Sequence, residues 1–303
     1  MINSSNPPTI FCLGPEGTNA HEVARDYDAA TFCLDGTGGR IEFTESNFQS
    51  LVGLASSPVP GSVAVVPVEN STEGLVADTR RFWLAMLAKG FGSEFQPAYV
   101  VGERHVPIHH CLAAKRPSSK PTWALSHPQA LGQCAEFLKA RGLEPVARPS
   151  TAEAAREIST ADSDLHAAIC SEATAKLYGL EIIERNIEDQ KGNETRFHIV
   201  SRLPCEDVTG KDRTALIFEL ENQPNALAAA LNVFGGHSVN LSAIHSMGIG
   251  DGRYAFYVEA DCHQDDARGQ KVLTCLGTLV VGNRLLALGS YPRSPRPTEG
   301  GVQ

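Results

Sequence analysis

The chain has 303 residues, 42% of them hydrophobic, and a formal net charge of −9. That length predicts two domains, and the negative charge, without a basic tail, excludes nucleic acid as a partner because phosphate backbones bind cationic surfaces. No apolar run approaches the ~20 residues that span a bilayer, and the first residues lack the pattern of a signal peptide, so we expect no membrane contact.

Eight cysteines are spread along the chain without a CxxC pair. In a chain of this length, that pattern favours reduced thiols in the cytoplasm over a disulfide framework or a zinc site. The adjacent His109 and His110 do not predict a metal site either. Neighbouring strand residues point to opposite faces, and no carboxylate is spaced to join them. We therefore expect a cytoplasmic protein without a metal.

The first predicted corner joins a strand, a glycine turn and a helix. Residues 9–13 (TIFCL) are an apolar run that stops at the segment GPEGT (14–18). Residues 20–27 favour a helix with Thr18 or Asn19 as its N-cap. Backbone N–H groups and the helix dipole meet at such a corner and attract anions. The three spaced glycines of a dinucleotide site are missing, so no nucleotide is predicted.

A second strand also ends in polar side chains. Residues 61–69 are predicted to form a buried strand, which continues into Asn70 and Ser71. A carboxylate, an amide and a hydroxyl are thereby brought to one strand end. Glu69 is a candidate base or anchor, with a cap of the following helix as the alternative.

A third strand, residues 123–125, leads into Ser126 and His127. From there a helix is predicted that ends at Gly142, a typical C-cap residue. Pro128 holds His127 extended. The histidine is therefore either a ligand group or, as we favour, a hydrogen-bonded structural residue.

The segment KGNETRFHIVS (191–201) places a polar cluster ahead of a fourth strand. Glu194, Thr195 and Arg196 supply a carboxylate, a hydroxyl and a guanidinium directly before its alternating apolar residues. Ligands in open α/β sheets bind at strand ends, so the segment predicts an anion site. A polar loop capped by an arginine is the alternative. Chemistry alone does not identify the anion.

Beyond residue 204 the pattern changes to a small module of α/β character. Its predicted strand, helix, strand, strand, helix and strand cover residues 214–220, 226–234, 239–246, 254–260, 269–279 and 285–289. This βαββαβ order is typical of a ferredoxin-like fold. We assign residues 1–205 to a larger α/β domain and residues 212–292 to this module. The tail, residues 293–303, is predicted to be disordered because it is rich in Pro, Gly and Ser.

Six segments of the sequence together resemble prephenate dehydratases. In family order they are GPEGT (14–18), VPVENSTEGLV (66–76), GERHVPIHH (102–110), SHPQALGQC (126–134), NIEDQKGNETRF (186–197) and LGSYP (288–292). The resemblance implies a catalytic region folded like a periplasmic-binding protein, with two α/β lobes and a cleft between them, followed by a ferredoxin-like ACT domain. It also implies that prephenate, a dicarboxylate, loses CO2 and hydroxide to give phenylpyruvate in phenylalanine biosynthesis. No metal or organic cofactor is required.

The same resemblance implies roles for individual side chains. Catalytic roles fall to Thr195, which would donate a hydrogen bond to the departing hydroxyl, and to Asn70 and Gln133. Substrate binding falls to a second group of residues: Thr18, Glu69, Ser71, Ser126, His127 and Arg196. Within that group, Arg196 would either pair with a substrate carboxylate or point away and tie down its loop.

Some segments depart from the family pattern. Asn19-Ala20 replaces the usual Phe-Ser, which removes an aromatic ring and a hydroxyl near the first corner. The segments that bind phenylalanine in the family correspond here to Asn225, Ala226, Leu227, His245 and Ser246. Because the Glu and Arg of the family segments are missing, a dimerisation role for the module is favoured over control by an amino-acid effector.

Several readings of the function stay open. A prephenate decarboxylase of antibiotic pathways would lose CO2 and keep the hydroxyl, but such enzymes tend to lack the threonine that is present here as Thr195. An arogenate dehydratase would accept an amino group in place of the ketone. A non-catalytic small-molecule sensor would not need a hydroxyl aimed at a leaving group. Because ACT modules commonly pair their sheets, we expect a homodimer or homotetramer.

Overall fold

The computed structural model describes residues 7–32, 38–89, 98–116, 120–161 and 163–294. Within these ranges the chain builds three β-sheets. We call the first two, with their helices, lobe 1 and lobe 2, and the third the C-terminal module. In the described ranges, no helix is long and apolar enough to cross a membrane.

Lobe 1 carries a mixed sheet. Its elements are β1 (Thr9–Leu13), α1 (Asn19–Thr31), β2 (Arg40–Thr44), α2 (Asn47–Ser56), β3 (Val63–Asn70), β4 (Gly74–Leu75), α3 (Ala77–Lys89), β5 (Tyr99–Pro107) and β11 (Glu194–Ser201). The strand order is β2-β1-β3-β11-β5, with β4 beside β3. Strand β3 is central and its sequence VAVVPVEN is almost continuously buried, as expected for a strand covered on both faces. Since β11 runs antiparallel to β3, the start of β11 lies beside the end of β3.

Lobe 2 has its own five-stranded sheet in the order β10-β6-β9-β7-β8. Its elements are β6 (Cys111–Ala114), β7 (Trp123–Ser126), α4 (Pro128–Gln133), α5 (Ala135–Arg141), β8 (Glu144–Ala147), α6 (Thr151–Thr160), β9 (His166–Cys170), α7 (Glu172–Leu177) and β10 (Glu181–Arg185). Two connections join the lobes, residues 108–110 and residues 186–193. The chain therefore leaves lobe 1 once and returns once.

The helix predicted to end at Gly142 is divided in two at Cys134, between α4 and α5. The cause is the second connection. The carbonyl of Gln133 accepts a hydrogen bond from the backbone N–H of Asp189 at 2.8 Å. The carboxylate of Asp189 accepts from the N–H of Glu136 at 3.1 Å, which caps the start of α5. This tertiary contact ends α4 at Gln133, a predicted site residue.

The C-terminal module confirms the predicted βαββαβ order. Its elements are β12 (Asp212–Leu220), α8 (Ala226–Gly236), β13 (Leu241–Gly248), β14 (Tyr254–Ala260), α9 (Ala267–Gly277) and β15 (Val280–Pro292). The sheet order is β13-β14-β12-β15. One face packs under α8 and α9. The other shares an apolar core with lobe 1, in which Phe82 and Trp83 belong to the same cluster as Tyr257 and Leu286.

The chain just after β15 differs from the expected disordered tail. Arg293 donates its backbone N–H to the carbonyl of Lys211 at 3.0 Å. Ser294 donates its N–H to Glu103 Oε1 at 3.1 Å and its hydroxyl to the Glu103 carbonyl at 2.7 Å. These two residues are held by polar contacts that composition alone does not reveal. Residues 295–303 lie outside the described ranges.

Gly289 marks a close approach of the module to lobe 1. Its φ is +128°, and a Cβ there would lie 2.3 Å from the carbonyl oxygen of Val100. We expect Gly289→Ala to lower the free energy of unfolding by about 1–3 kcal/mol, because the clash is with backbone. Urea denaturation checks this against Gly277→Ala, whose added Cβ meets nothing within 4 Å. Equal stability of the two variants would contradict the close approach.

Candidate active site

Asn70 and Thr195 form a hydrogen-bonded pair where β3 ends and β11 begins. They are register partners, and Asn70 Nδ2 donates to Thr195 Oγ1 at 3.0 Å. The amide of Asn70 is itself held, since its Oδ1 accepts from the N–H and hydroxyl of Thr72 at 3.0 and 2.6 Å. Because the Thr195 oxygen accepts from Asn70, its own hydrogen is available for a ligand. The structure thus brings together two predicted catalytic residues.

Ser71 fastens this corner to the second connection. Its hydroxyl donates to Asn193 Oδ1 at 3.1 Å and accepts from the N–H of Glu194 at 3.0 Å. Its own N–H donates to the Glu194 carbonyl at 2.9 Å. With these contacts Ser71 fixes the position of the residue before Thr195.

Gln133, the third predicted catalytic residue, lies in lobe 2 and pairs with His110. His110 Nε2 and Gln133 Oε1 are 2.9 Å apart. Burial lowers the pKa of His110, so the imidazole is neutral near pH 7, and its Nε2 must carry the proton if the amide oxygen accepts. The amide group of Gln133 then presents its two N–H donors to a ligand.

Glu188 anchors the His109-His110 pair. Its Oε2 accepts from the backbone N–H of His110 at 3.0 Å, and its Oε1 lies 3.1 Å from His109 Nδ1. Burial opposes the charge on Glu188, but these hydrogen bonds outweigh it and lower the pKa of the carboxyl. Sequence reasoning considered the two histidines only as metal ligands. In the structure they lie in the first connection between the lobes, residues 108–110, and there they position Gln133 and Glu188.

Two cavities meet at the Gln133–His110 pair. The connection cavity, of about 370 Å³, contains Gln133 and Glu188 in its lining, together with Thr72, Glu73, Gln129, Gly132, Asp189, Gln190 and Asn193. The helix-end cavity, of about 250 Å³, contains His110 in its lining, with Asn19, Glu22, Val106, Pro107, Ile108, His109, Cys111, Thr151, Ser171, Glu172, Ala173 and Asn186. In the part of the chain that the structure describes, no group of His, Cys, Asp and Glu side chains could hold a metal ion.

The helix-end cavity is the better anion site. The first residues of α1, α6 and α7 all line it, and helix N-termini carry free N–H groups and a partial positive charge. Val106, the β5 register partner of Thr195, also lines it. Because directly paired strand residues share a face, Thr195 lies on the face of the lobe 1 sheet that borders this cavity through Val106. The connection cavity has three carboxylates in its lining and no such group of helix N-termini, whereas the helix-end cavity has two carboxylates, Glu22 and Glu172.

Three predicted substrate-binding residues use their side chains in hydrogen bonds within their own lobe. Thr18 caps α1, where its hydroxyl accepts from the N–H of His21 at 3.2 Å and donates to the Leu13 carbonyl at 2.9 Å. Ser126 is fully buried and donates to the Ile169 carbonyl at 2.6 Å. His127 caps α4 through its Nδ1, which fits the structural alternative given above. These contacts shape the strand-to-helix corners.

Arg196 points away from the Asn70–Thr195 pair. Its guanidinium is buried and donates to Glu259 of the C-terminal module at 2.7 and 2.9 Å. It also donates to Glu69 Oε2 at 3.0 Å and to Glu103 Oε2 at 3.3 Å. With three glutamates engaging it, the geometry does not support the substrate-binding role given to Arg196 or to Glu69. It favours the alternative in which Arg196 ties down its segment.

The residues corresponding to the family's phenylalanine segments are divided between two faces of the module. Asn225 caps α8 with a φ of +69°, the left-handed conformation that asparagine tolerates, and Leu227 packs with the helices. His245 instead points towards lobe 1, with Nε2 at 3.7 Å from Glu69 Oε1. Ala226 follows Asn225 in α8, and Ser246 is exposed on β13. Within one chain they do not form a single pocket.

Buried histidines predict a loss of stability in mild acid. Burial lowers the pKa of His21, His110 and His198, so below pH ~6.5 the unfolded chain binds more protons than the folded one. The free energy of unfolding should therefore decrease as the pH is lowered below ~6.5, by up to about 1.4 kcal/mol per pH unit for each histidine. Urea denaturation at pH 7.5 and 5.5 measures this, and His21→Gln should weaken the dependence. Greater stability at pH 5.5 would refute the prediction.

Comparison with known sequences identifies relatives along almost the whole chain. A family model described as prephenate dehydratase matches residues 10–204. The prephenate dehydratase of Methanocaldococcus jannaschii is 30% identical over 95% of this chain and 98% of its own length. Arogenate dehydratase/prephenate dehydratase 1 of Arabidopsis thaliana is 34% identical over 76% of this chain. The aligned part spans 60% of the length of that protein.

Solved structures confirm the predicted fold class, a two-lobed region like a periplasmic-binding protein followed by a ferredoxin-like module. The prephenate dehydratase of Arthrobacter aurescens in complex with L-Phe has a TM-score of 0.77 at 29% identity, over 94% of this chain and 90% of its own. GqqA, described as a novel type of quorum-quenching acylase, has a TM-score of 0.78 at 26% identity, over 95% and 98%. Since the family model covers more than half of the residues, the chain belongs to the prephenate dehydratase family.

Proposed function

We propose that this chain is a carbon–oxygen lyase that converts prephenate to phenylpyruvate. The observation that carries the proposal is the Asn70–Thr195 pair, with its 3.0 Å hydrogen bond, beside Val106, which lines a cavity onto which three helices open. A hydroxyl with an available hydrogen beside an anion site is what a substrate with two carboxylates and a leaving hydroxyl needs. In this proposal residues 1–205 are the catalytic domain and residues 212–292 an ACT-type regulatory or dimerisation domain.

The chemistry needs orientation more than acid strength. Cleavage of the bond between the ring and its carboxylate releases CO2 and sends the electron pair into the ring. The ring carbon–oxygen bond breaks with its pair on the departing oxygen, which leaves as hydroxide and takes a proton from solvent. Aromatisation drives the step, so positioning and one hydrogen bond supply much of the catalysis. Thr195 is too weak an acid to be the proton source, and it donates a hydrogen bond to the leaving oxygen.

The helix-end cavity supplies donors for the substrate carboxylates. The N-termini of α1 and α6 offer backbone N–H groups, and Gln133 offers its amide N–H groups from the adjoining cavity. Asn19 lines the same cavity, at the position where the family usually has an aromatic residue. This difference lies inside the proposed site and is the feature that favours testing a decarboxylase as the second candidate.

Incubation of the purified protein with prephenate tests the proposal, with absorbance and product mass as readouts. We expect phenylpyruvate, which is lighter than prephenate by CO2 and water. A non-aromatic product lighter by CO2 alone would identify a decarboxylase. Faster turnover of arogenate, which would give phenylalanine directly, would identify an arogenate dehydratase. Saturable binding without any product would identify a sensor.

A further inference from the structure

A carboxylate of the C-terminal module is buried against the sheet of lobe 1. Glu259, on β14, has a side chain that is 1% exposed. Both of its oxygens accept from Arg196 Nη1, at 2.7 and 2.9 Å, and Tyr257 donates its hydroxyl to Oε1 at 2.5 Å. Burial opposes the charge on Glu259, but its partners His198 and Arg196 outweigh it and hold the pKa of the carboxyl well below its ordinary range. Glu259 is therefore ionised and paired.

A second arginine and further carboxylates surround this pair. Arg213 donates to Glu103 at 2.9 and 3.2 Å, and its Nη1 lies 3.6 Å from Glu259. Arg196 reaches the same Glu103 at 3.3 Å. Two guanidinium groups thus face two buried carboxylates in the contact between β5, β11, β12 and β14, and the partly exposed Glu69 of β3 adds a third. Buried ion clusters of this kind favour one arrangement of their elements, since a displaced partner leaves an unpaired charge.

The cluster holds the residue next to Thr195. Successive strand residues point to opposite faces, so Arg196 reaches the C-terminal module while Thr195 lies on the other face of the sheet, beside Val106 of the helix-end cavity. The β3–β11 ladder is also irregular here, with a register shift between Arg196 and Phe197. The extra residue of this bulge is Val68 on β3, directly before Glu69, and it has no register partner on β11. The ion pair between Arg196 and Glu69, at 3.0 Å, joins the two strands directly beside the bulge.

A second contact reaches the neighbour of Asn70. Glu69 binds Arg196 at 3.0 Å, and His245 of β13 lies 3.7 Å from its other oxygen. Asn70 directly follows Glu69, and Thr195 directly precedes Arg196. Each member of the Asn70–Thr195 pair is therefore next to a residue that the ion cluster holds.

We propose that Glu259 is a positioning residue for the reaction, acting through Arg196 on the Asn70–Thr195 pair. The C-terminal module is in this way part of the scaffold of the active site, in addition to any regulatory role. The expected effect on kcat rests on the proposed function. The expected effect on the position of residues 194–197 rests on geometry alone. A misplaced hydroxyl loses transition-state contact while the carboxylate donors in the cavity stay in place.

The test is Glu259→Gln in the full chain, since Gln keeps the shape and removes the charge. We expect kcat for prephenate to fall about 10- to 100-fold, with KM changed less than about threefold. Glu219→Gln is the matched control. Glu219 is equally buried and pairs with Arg253 and Arg284 of the same module, and we expect its kcat to stay within twofold of wild type.

Hydrogen–deuterium exchange of the amides of residues 194–197 gives a readout independent of turnover. Exchange should accelerate in the Glu259→Gln variant and stay unchanged in the Glu219→Gln variant. If the wild-type protein does not act on prephenate, the proposed function fails while this measurement still decides the inference. If Glu259→Gln does not fold, Tyr257→Phe, which removes one hydrogen bond and no charge, should give a smaller change in the same direction.

Two results would overturn the inference. One is unchanged exchange at residues 194–197 together with unchanged kcat in a folded Glu259→Gln protein. The other is an equal loss of kcat in both glutamate variants, because a general weakening of the module would then explain it.

Discussion

Replacing Thr195 by Ala is expected to lower kcat for prephenate by about 30- to 1,000-fold, or about 2–4 kcal/mol of barrier. The hydroxyl is oriented in advance by Asn70 Nδ2 at 3.0 Å, and its own hydrogen is available for the departing oxygen. A donor fixed before the reaction costs no reorganisation when charge develops. KM should change little, because the substrate carboxylates are held by other groups. Steady-state kinetics with product mass detection measures both constants.

Two further variants separate the hydroxyl from the space that it fills. Thr195→Val keeps the shape without the hydroxyl, and it should be as impaired as Thr195→Ala. Thr195→Ser keeps the hydroxyl, and it should retain activity within about tenfold of wild type. A kcat within twofold of wild type in the Ala variant would remove Thr195 from the mechanism. The Asn70–Thr195 pair would then be a structural contact between strands.

Replacing Arg196 by Met is expected to have the largest effect on stability. The guanidinium is buried and is shared by Glu69, Glu103 and Glu259. Removing it leaves the buried Glu103 and Glu259 to share the guanidinium of Arg213, and breaking a buried pair in this way typically costs about 3–5 kcal/mol in the free energy of unfolding. Against a total of about 5–15 kcal/mol for a native protein, that is a large fraction. Urea denaturation followed by circular dichroism measures it.

A surface arginine provides the matched control. Arg185→Met removes an ion pair with Glu172, but both of those side chains are more than half exposed, and surface pairs contribute little. We expect its unfolding midpoint to match that of wild type. Arg196→Lys keeps the charge and loses the planar fork, so its stability should be intermediate. If Arg196→Met and Arg185→Met were equally stable, the buried cluster would not hold the two parts of the chain together.

Thr195 and Arg196 are adjacent in one motif, but their side chains lie on opposite faces of the sheet and have different partners. The alternation of side chains along β11 places the hydroxyl on the sheet face of Val106 and the guanidinium on the face of the C-terminal module. The sequence predicted an anion site that contained both residues, with the alternative that Arg196 points away and ties down its loop. The strand geometry separates them.

Local signals in the sequence predicted the framework of the site. Thr18 accepts from the N–H of His21 as an N-cap, Asn225 takes the left-handed conformation, and the module follows the βαββαβ order. Caps, turns and strand alternation depend on residues within a few positions of one another, so they can be read without knowing the fold. The polar residues at the strand ends were predicted from neighbouring residues in the same way.

What the sequence by itself determined is therefore the set of elements and the corners at which polar groups collect. Tertiary structure alone decided which of those groups meet. Asp189 divides the helix before Cys134, His110 takes the amide oxygen of Gln133, and Glu259 takes Arg196. Each of these pairs joins residues far apart in the chain, through packing and register that no local pattern encodes. The burial that makes the ion pairs important exists only once the module rests on lobe 1.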